Sequence, residues 1–177
     1  MPERITCIQL WNRYVNADKL KDELRYKWKN RVDKLHDTEY RIEMVNATIK
    51  QEYSKLPDKS LGIVIPMDTQ KKLLFLHKEL KALKCTRKEL HYVIVNYKKA
   101  CEETTTRANR YLMAYKRVVS IVWKRVSGKV KSGEIATDVK INEIRKYPCT
   151  LFTNRSTGNI TVVLKGEGGD SDIEIKY

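Results

Sequence analysis

The fold is decided by residues 73–125, which read LLFLHKELKALKCTRKELHYVIVNYKKACEETTTRANRYLMAYKRVVSIVWKR. With Leu73 at heptad position a, most a and d positions of this stretch hold aliphatic or aromatic side chains. Position a holds Leu73, Leu80, Arg87, Ile94, Cys101, Ala108, Tyr115 and Val122, and position d holds Leu76, Leu83, Leu90, Tyr97, Thr104, Tyr111, Val118 and Arg125. Such a repeat is typical of long helices that pack against each other. We therefore predict a mainly α protein, an elongated antiparallel helical hairpin or bundle with coiled-coil-like packing.

This helical stretch is expected to run from about 68 to 127, where Gly128 is a stop signal. The segment 101–106 contains three consecutive threonines and leaves small side chains at the seam. Threonine is a mediocre helix former and a good cap. The pattern therefore divides the stretch into helices at 68–103 and 104–127, and leaves open whether the second long helix is continuous through 101–106.

The first third of the chain has a second helical stripe of apolar side chains. Its members are Leu24, Trp28, Val32, Leu35, Ile42, Val45, Ile49, Tyr53 and Leu56. A shorter amphipathic pattern begins at Ile5, and residues 16–18 then indicate a stop followed by a new N-cap. Helices are therefore predicted at about 3–15 and 18–56.

The turn-forming segment 56–59 and an extended connector at 61–66 separate the two helical regions. If the chain folds back there, the numbers of facing residues add up to about 124. The two predicted helix breaks then lie at the same level, which supports a hairpin or a four-segment bundle over residues 1–127.

Residues 128–177 have a different composition, with a polar linker up to about Thr137 and an ambiguous helix or strand at 138–147. Three short β-type segments follow, at 150–153, 159–164 and 172–177. The spacers between them are rich in Gly, Asn, Ser and Asp, as turns are. We predict a linker and a small antiparallel β meander that packs on the helices, because two or three strands are too few to be stable alone.

Composition restricts the class of protein. The 177 residues include 36 Lys and Arg against 22 Asp and Glu, a net charge of +14. No apolar stretch approaches the length of a membrane span, and no signal peptide is evident. The four cysteines are scattered, which predicts reduced thiols. We expect an intracellular protein, cytoplasmic or nuclear (or nucleoid) and not secreted; its Lys-, Ile-, Asn- and Tyr-rich usage fits a viral or phage origin.

The positive charge is concentrated in residues 61–131, which hold 17 basic and 5 acidic side chains. No acidic residue lies between Glu103 and Glu134. The cations of this window, our candidate nucleic-acid-binding residues, are Arg107, Arg110, Lys116, Arg117, Lys124, Arg125, Lys129 and Lys131. Four of them recur every seven residues from Arg110, which predicts a row of cations roughly 10 Å apart on one helix face. Such a row can follow a phosphate backbone, in DNA or RNA and with little sequence readout.

Two other interpretations compete with nucleic-acid binding. The basic arm can dock an acidic protein surface in a coiled-coil assembly or adaptor protein, or it can be a solvated face. Phe75, Tyr92 and Trp123 can stack on bases if they face outward, although a wide helical interface explains them better. The apolar flanks Leu112, Val119 and Val126 favour a second chain, so we also expect a homodimer or larger homo-oligomer.

Catalytic and metal-binding patterns are missing from the sequence. The three histidines are far apart or on polar faces, and no phosphate-binding glycine loop or nucleophile motif occurs. Asp170, Asp172 and Glu174 alternate along a terminal strand, where acidic side chains more often prevent edge-to-edge aggregation than bind a metal. We therefore predict a non-enzymatic protein with no cofactor and no metal site.

Overall fold

The computed structural model describes residues 1–57, 62 and 64–177. Its elements are β1 (Glu3–Thr6), α1 (Cys7–Ser54), α2 (Met67–Lys131), a 3₁₀ helix (Thr137–Val139), α3 (Lys140–Lys146), β2 (Pro148–Thr153), β3 (Ile160–Leu164) and β4 (Ile173–Lys176). The protein is mainly helical, with two long packed helices and a small four-stranded antiparallel sheet, which confirms the predicted fold class. Of the predicted turn at 56–59 and connector at 61–66, residues 58–61 and 63 lie outside the described residues.

Helix α2 is continuous through the threonine segment, so the break between 68–103 and 104–127 does not occur. The hydroxyls of Thr105 and Thr106 donate to the carbonyls of Cys101 and Glu102, at 2.7 and 3.0 Å. Thr104 is buried. Because these hydroxyls bond inside the helix and Thr104 packs in the interior, packing outweighs the weak helix propensity of the segment.

Helix α1 is likewise continuous through residues 16–18, where a stop was predicted. Asp18 does not cap a new helix but forms an ion pair with Lys21 within the same helix. Ala17 is buried in the interior. The predicted helices at 3–15 and 18–56 are therefore one helix, and its beginning also differs from the prediction.

Residues Glu3–Thr6 form a strand, not the first turn of a helix. Thr6 caps α1: its Oγ1 accepts from the Gln9 N–H at 3.4 Å, and the Thr6 N–H donates to Gln9 Oε1 at 2.9 Å. This reciprocal pair is a capping box, which fixes the beginning of the helix at the next residue, Cys7. The sequence pattern Thr-x-x-Gln was present but was masked by the helix-like spacing that begins at Ile5.

The sheet has the order β1-β2-β3-β4, and every neighbouring pair is antiparallel. Ile5 of β1 is paired with Cys149 of β2, and Leu151 of β2 with Val162 of β3. The predicted meander is present in β2, β3 and β4, and the N-terminal strand adds a fourth member that the sequence analysis had placed in a helix.

Helix α2 ends at Lys131, beyond the stop predicted at Gly128. The Glu134 N–H donates to the Lys129 carbonyl at 2.9 Å, and the Gly133 N–H donates to the Val130 carbonyl at 3.2 Å. Gly133 has a φ of 79°, so this is a Schellman C-cap with glycine in the left-handed position. Gly133, and not Gly128, therefore ends the helix.

The chain divides into two compact units, one of Met1–Glu23 with Cys101–Tyr177 and one of Leu24–Ala100. In the first unit, the sheet packs on the helices around one apolar core. The most deeply buried members of that core are Cys7, Leu10, Ala108, Ala114, Val118, Val122, Val126, Leu151, Val162 and Leu164.

In the second unit, α1 and α2 pack as an antiparallel pair. Their core consists of Ile42, Val45, Ile49, Leu73, Leu76, Leu80 and Leu83. Glu52 lies 2.6 Å from the Lys72 ammonium, and Arg41 lies 3.1 Å from Glu79. The numbers of these facing residues add up to about the 124 expected from the sequence, which confirms the predicted register of the hairpin.

Candidate nucleic-acid interface

The structure separates the eight predicted nucleic-acid-binding residues into two groups, all in the first unit. Arg107, Lys116, Arg117, Lys124 and Lys131 are exposed. Arg110, Arg125 and Lys129 are partly buried and contact the β-sheet region. The seven-residue row that begins at Arg110 therefore loses its first member to an internal contact.

Arg125 and Lys129 hold the sheet on α2. The Arg125 guanidinium donates from one nitrogen to the Tyr147 hydroxyl at 3.0 Å and to the Lys165 carbonyl at 2.7 Å. Tyr147 donates in turn to Glu167 Oε1 at 2.6 Å, and the Lys129 ammonium lies 3.3 Å from the same oxygen. These contacts hold both cations against the sheet region, so the two are less available to a ligand than the exposed cations of α2.

The charges in this network shift the titration of its members. The hydrogen bond from Tyr147, followed by the contact with Lys129, lowers the pKa of Glu167 despite partial burial. Burial, together with the hydrogen bond to Glu167, raises the pKa of Tyr147. At neutral pH the carboxylate is therefore ionised and the phenol is protonated, as their hydrogen bond requires.

Arg110 has a similar anchoring role at the turn between β2 and β3. Its Nη1 donates to the Thr157 carbonyl at 3.1 Å. The next residue, Gly158, has a φ of 70°, and a Cβ there would lie 3.0 Å from the same nitrogen. The guanidinium therefore lies close against the turn backbone and is not directed at a ligand.

The remaining exposed cations form one surface on α2, except for Arg107. Lys116 is nine positions after Arg107, which places the two on opposite sides of the helix. We define the basic face as Lys116, Arg117, Lys124, Lys131 and Lys140. The last of these begins α3 and joins the surface from outside α2.

Successive cations of the basic face are about 10 to 12 Å apart along α2, from 116 to 124 to 131. None of the five has an ion-pair partner among the described residues. Helix surfaces usually mix charges of both signs at i,i+4 spacing, and this one does not. The face is therefore a continuous source of positive potential.

Trp123 lies between Lys116 and Lys131 along α2, with 49% of its surface exposed. The Lys140 ammonium lies 4.0 Å from the centre of its ring, a cation–π contact. Trp123 and Lys124 line two shallow grooves, one that also contains Lys116 and one that also contains Lys131 and Lys140. From the sequence, Trp123 is only one of three aromatic residues that can stack on bases if they face outward, and no sequence spacing indicates Lys140.

The second unit has the larger excess of charge, with 18 basic and 9 acidic side chains between 24 and 100. Several of these cations are paired: Lys55 and Lys72 both contact Glu52, whose pKa the hydrogen bond from Lys72 lowers most. Along α2, Glu79 and Glu89 interrupt the cations of this unit. The cations of α2 in this unit therefore lie among acidic residues, whereas those of the basic face on α2 do not.

The exposed apolar side chains differ from the predicted interface flanks. Val126 is 1% exposed and belongs to the core of the first unit, so it cannot be a flank for a second chain. Leu112 and Val119 are only partly buried. Phe75 and Tyr92, on the second unit, are 66% and 71% exposed, so neither packs in the interior of this chain.

A cavity of about 580 Å³ lies beside the sheet-anchoring network and includes Lys129, Tyr147 and Glu167 in its wall. These three side chains are bonded to each other, which leaves no free catalytic group among them. Cys149 also lines it, and burial raises the pKa of that thiol to about 12. A thiol with such a pKa is a poor nucleophile, so we do not place a reaction here.

The other candidate groups are also accounted for by internal contacts. Asp172 accepts a hydrogen bond from the Gly166 N–H at 2.9 Å, and Glu174 lies 3.2 Å from Lys176. In the part of the chain that the structure describes, no group of three or more His, Cys, Asp or Glu is placed to hold a metal ion. The four cysteines are free thiols. No described helix has both the length and the apolar character that crossing a membrane requires.

Comparison of the chain with protein-family models, with curated proteins and with solved structures finds no match. Four exposed cations of α2, the partly buried Lys140 beside them and a half-exposed tryptophan lie where no acidic residue occurs on α2 after Glu103, an arrangement that suits an extended polyanion.

Proposed function

We propose that the protein is a non-enzymatic nucleic-acid-binding protein that contacts the phosphate backbone through its basic face, with little dependence on base sequence. The observation that supports this most is a set of cations without ion-pair partners among the described residues: the exposed Lys116, Arg117, Lys124 and Lys131, and the partly buried Lys140. Their mutual repulsion costs stability in the free protein, and a polyanion would relieve it while releasing its own counterions.

The proposed interface is smaller than the eight residues that the sequence suggested. Arg110, Arg125 and Lys129 are excluded because they bond to the sheet region. Lys140 is added because its ammonium lies on the same surface. A binding site of about five phosphates should give an affinity that falls steeply with salt.

A second candidate is an assembly or adaptor protein that docks an acidic partner. The exposed apolar side chains on α2 in the second unit favour it, since Leu74, Phe75, Tyr92 and Val95 have more than half of their surface accessible. They form two groups about 26 Å apart along the helix, and exposed apolar groups often mark protein–protein contacts. Such a protein would bind one partner specifically and ignore random oligonucleotides.

The experiment that separates these functions is fluorescence anisotropy with labelled random single- and double-stranded DNA and RNA. We expect binding of at least one of the four polymers at roughly 50 mM salt and a loss of about 100-fold at 200 mM. Binding that is absent at low salt for all four would contradict the proposal. A salt-insensitive interaction would also contradict it, because backbone contacts release counterions.

A further inference from the structure

Trp123 is one of two large apolar side chains of α2 in the first unit that are about half exposed, the other being Met113, and it is the aromatic one. Val118, Val122 and Val126 point into the core, whereas half of the indole of Trp123 is exposed. An exposed indole leaves a large apolar ring in contact with water, which the core packing does not require. The ring is also placed between cations on both sides along the helix, Lys116 and Lys124 towards one groove and Lys131 and Lys140 towards the other.

We propose that Trp123 is a stacking platform for an unpaired base, so that the basic face binds single-stranded nucleic acid in preference to a duplex. This proposal rests on the proposed function, because it assigns the strandedness of the same ligand. Cations along a backbone track combined with an aromatic ring are the arrangement that single-strand binding needs.

The two grooves give the strand a path across the helix. Each groove contains Trp123 and Lys124, so a base that enters either one meets the indole while its phosphates lie near an ammonium. Gly128 lines the second groove, and a Cβ added to it would have no heavy atom within 4 Å. The backbone there is open to close approach by a sugar or a phosphate.

Lys140 has a specific part in this arrangement. Its ammonium lies over the indole ring in the free protein. An incoming phosphate is a stronger partner for an ammonium than an aromatic quadrupole is. When a phosphate takes the ammonium, the ring face beneath it becomes available to a base.

A duplex cannot use the platform in this way. Each base in a duplex is stacked on both faces, so an indole that projects from a helix contacts only its backbone. Contacts with the phosphate backbone do not involve the ring, so they do not favour a single strand over a duplex through stacking. Loss of the ring should therefore weaken single-strand binding and leave duplex binding nearly unchanged.

The test compares Trp123→Leu, Trp123→Phe and Phe75→Leu with the wild-type chain, using labelled dT₁₅ and a 15-base-pair duplex of random sequence at roughly 50 mM salt. Leucine keeps an apolar side chain without a ring, phenylalanine keeps a ring, and Phe75 is an exposed aromatic on the second unit. We expect Trp123→Leu to weaken binding of dT₁₅ by about 5- to 100-fold and duplex binding by less than about 2-fold. Trp123→Phe should retain most of the affinity, and Phe75→Leu should match the wild type.

A second measurement does not depend on the leucine variant folding. The chain has three tryptophans, so in the double variant Trp11→Phe, Trp28→Phe excitation at a wavelength that tyrosine does not absorb reports on Trp123 alone. Stacking predicts strong quenching of its emission by unlabelled dT₁₅ and little quenching by the duplex. Equal quenching by both polymers, or no quenching while dT₁₅ binds, would overturn the stacking proposal and leave backbone binding in place. If the wild-type chain binds neither single- nor double-stranded DNA or RNA at low salt, the proposed function itself fails.

Discussion

Replacing Lys116, Lys124 and Lys131 together by glutamine should cut the salt dependence of nucleic-acid binding by more than half. The basic face has five cations without ion-pair partners among the described residues, four exposed and one, Lys140, partly buried, and this change leaves Arg117 and Lys140. Glutamine keeps the side-chain length and the helix propensity close to those of lysine, so α2 should remain intact.

The magnitude follows from counterion release. Each phosphate neutralised on a single strand contributes about −0.7 to the slope of log K against log salt, which gives about −3.5 for five contacts and about −1.4 for two. Between 50 and 200 mM salt the wild-type affinity should therefore fall about 130-fold, and that of the variant about 7-fold. At 50 mM the three lost contacts should weaken binding by about 500-fold, if the non-electrostatic part of the affinity is unchanged.

The assay is a salt titration of anisotropy with labelled dT₁₅, and the control is the triple variant Lys78→Gln, Lys81→Gln, Lys88→Gln. Those three lysines are exposed on α2 in the second unit, so the control removes the same net charge from outside the basic face. We expect its slope to equal that of the wild type. If the control lowers the slope as much as the Lys116 variant does, binding depends on total charge and the assignment of the basic face is wrong.

Three further predictions concern stability. Arg125→Met removes the hydrogen bonds to Tyr147 and to the Lys165 carbonyl, and should lower the free energy of unfolding by about 1 to 3 kcal/mol in a urea titration; an unchanged midpoint would contradict the anchoring role. Gly133→Ala forces an L side chain into a φ of 79° and should destabilise the folded protein by about 1 kcal/mol. Gly128→Ala lies inside α2 with open space around the added Cβ and should stabilise the folded protein by about 0.5 to 1 kcal/mol. If the melting temperatures of the two variants shift in the same direction, the helix does not end at Gly133. Lys72 lowers the pKa of Glu52 in the folded chain, so this carboxylate stabilises the fold above its ordinary pKa of about 4.3, and that contribution is lost as the pH falls through the lowered value. Melting temperatures from pH 7 to pH 3 should therefore fall less steeply for Glu52→Gln than for the wild type, and parallel curves would show that the ion pair adds no stability.

The sequence predicts the long helices well because their signal is local and repeated. The apolar positions of a heptad pattern indicate, at every turn, which side of the helix is buried, and the cores of both units contain such positions. The strand Glu3–Thr6 has no repeated local pattern of this kind. Four residues are too few to show the two-residue periodicity of a strand, and this strand is stabilised by pairing with β2, which lies more than a hundred residues later in the chain. The helix-like spacing from Ile5 onward therefore dominated the pattern.

The candidate site divides in the same way. Spacing correctly places Lys116, Lys124 and Lys131 on the exposed side of α2, since that side is defined by the seam opposite it. Spacing cannot tell which cations a sheet covers, so Arg125 was counted as a ligand contact although it bonds to Lys165. Lys140 was missed for the converse reason, because only the turn at the end of α2 brings α3 back to Trp123.

The pairing of β1 with β2 also constrains the order of events during synthesis. At about 5 to 20 residues per second, β2 is made roughly 7 to 30 seconds after β1. Throughout that interval β1 has no strand beside it, while all residues of the second unit are already made well before β2. The helical pair of Leu24–Ala100 can thus form first, and the nascent chain must keep an unpaired strand from aggregating until its partner is made. The first unit is therefore the last part of this protein to be completed during synthesis, and the basic face on it is complete only when α3 has been added.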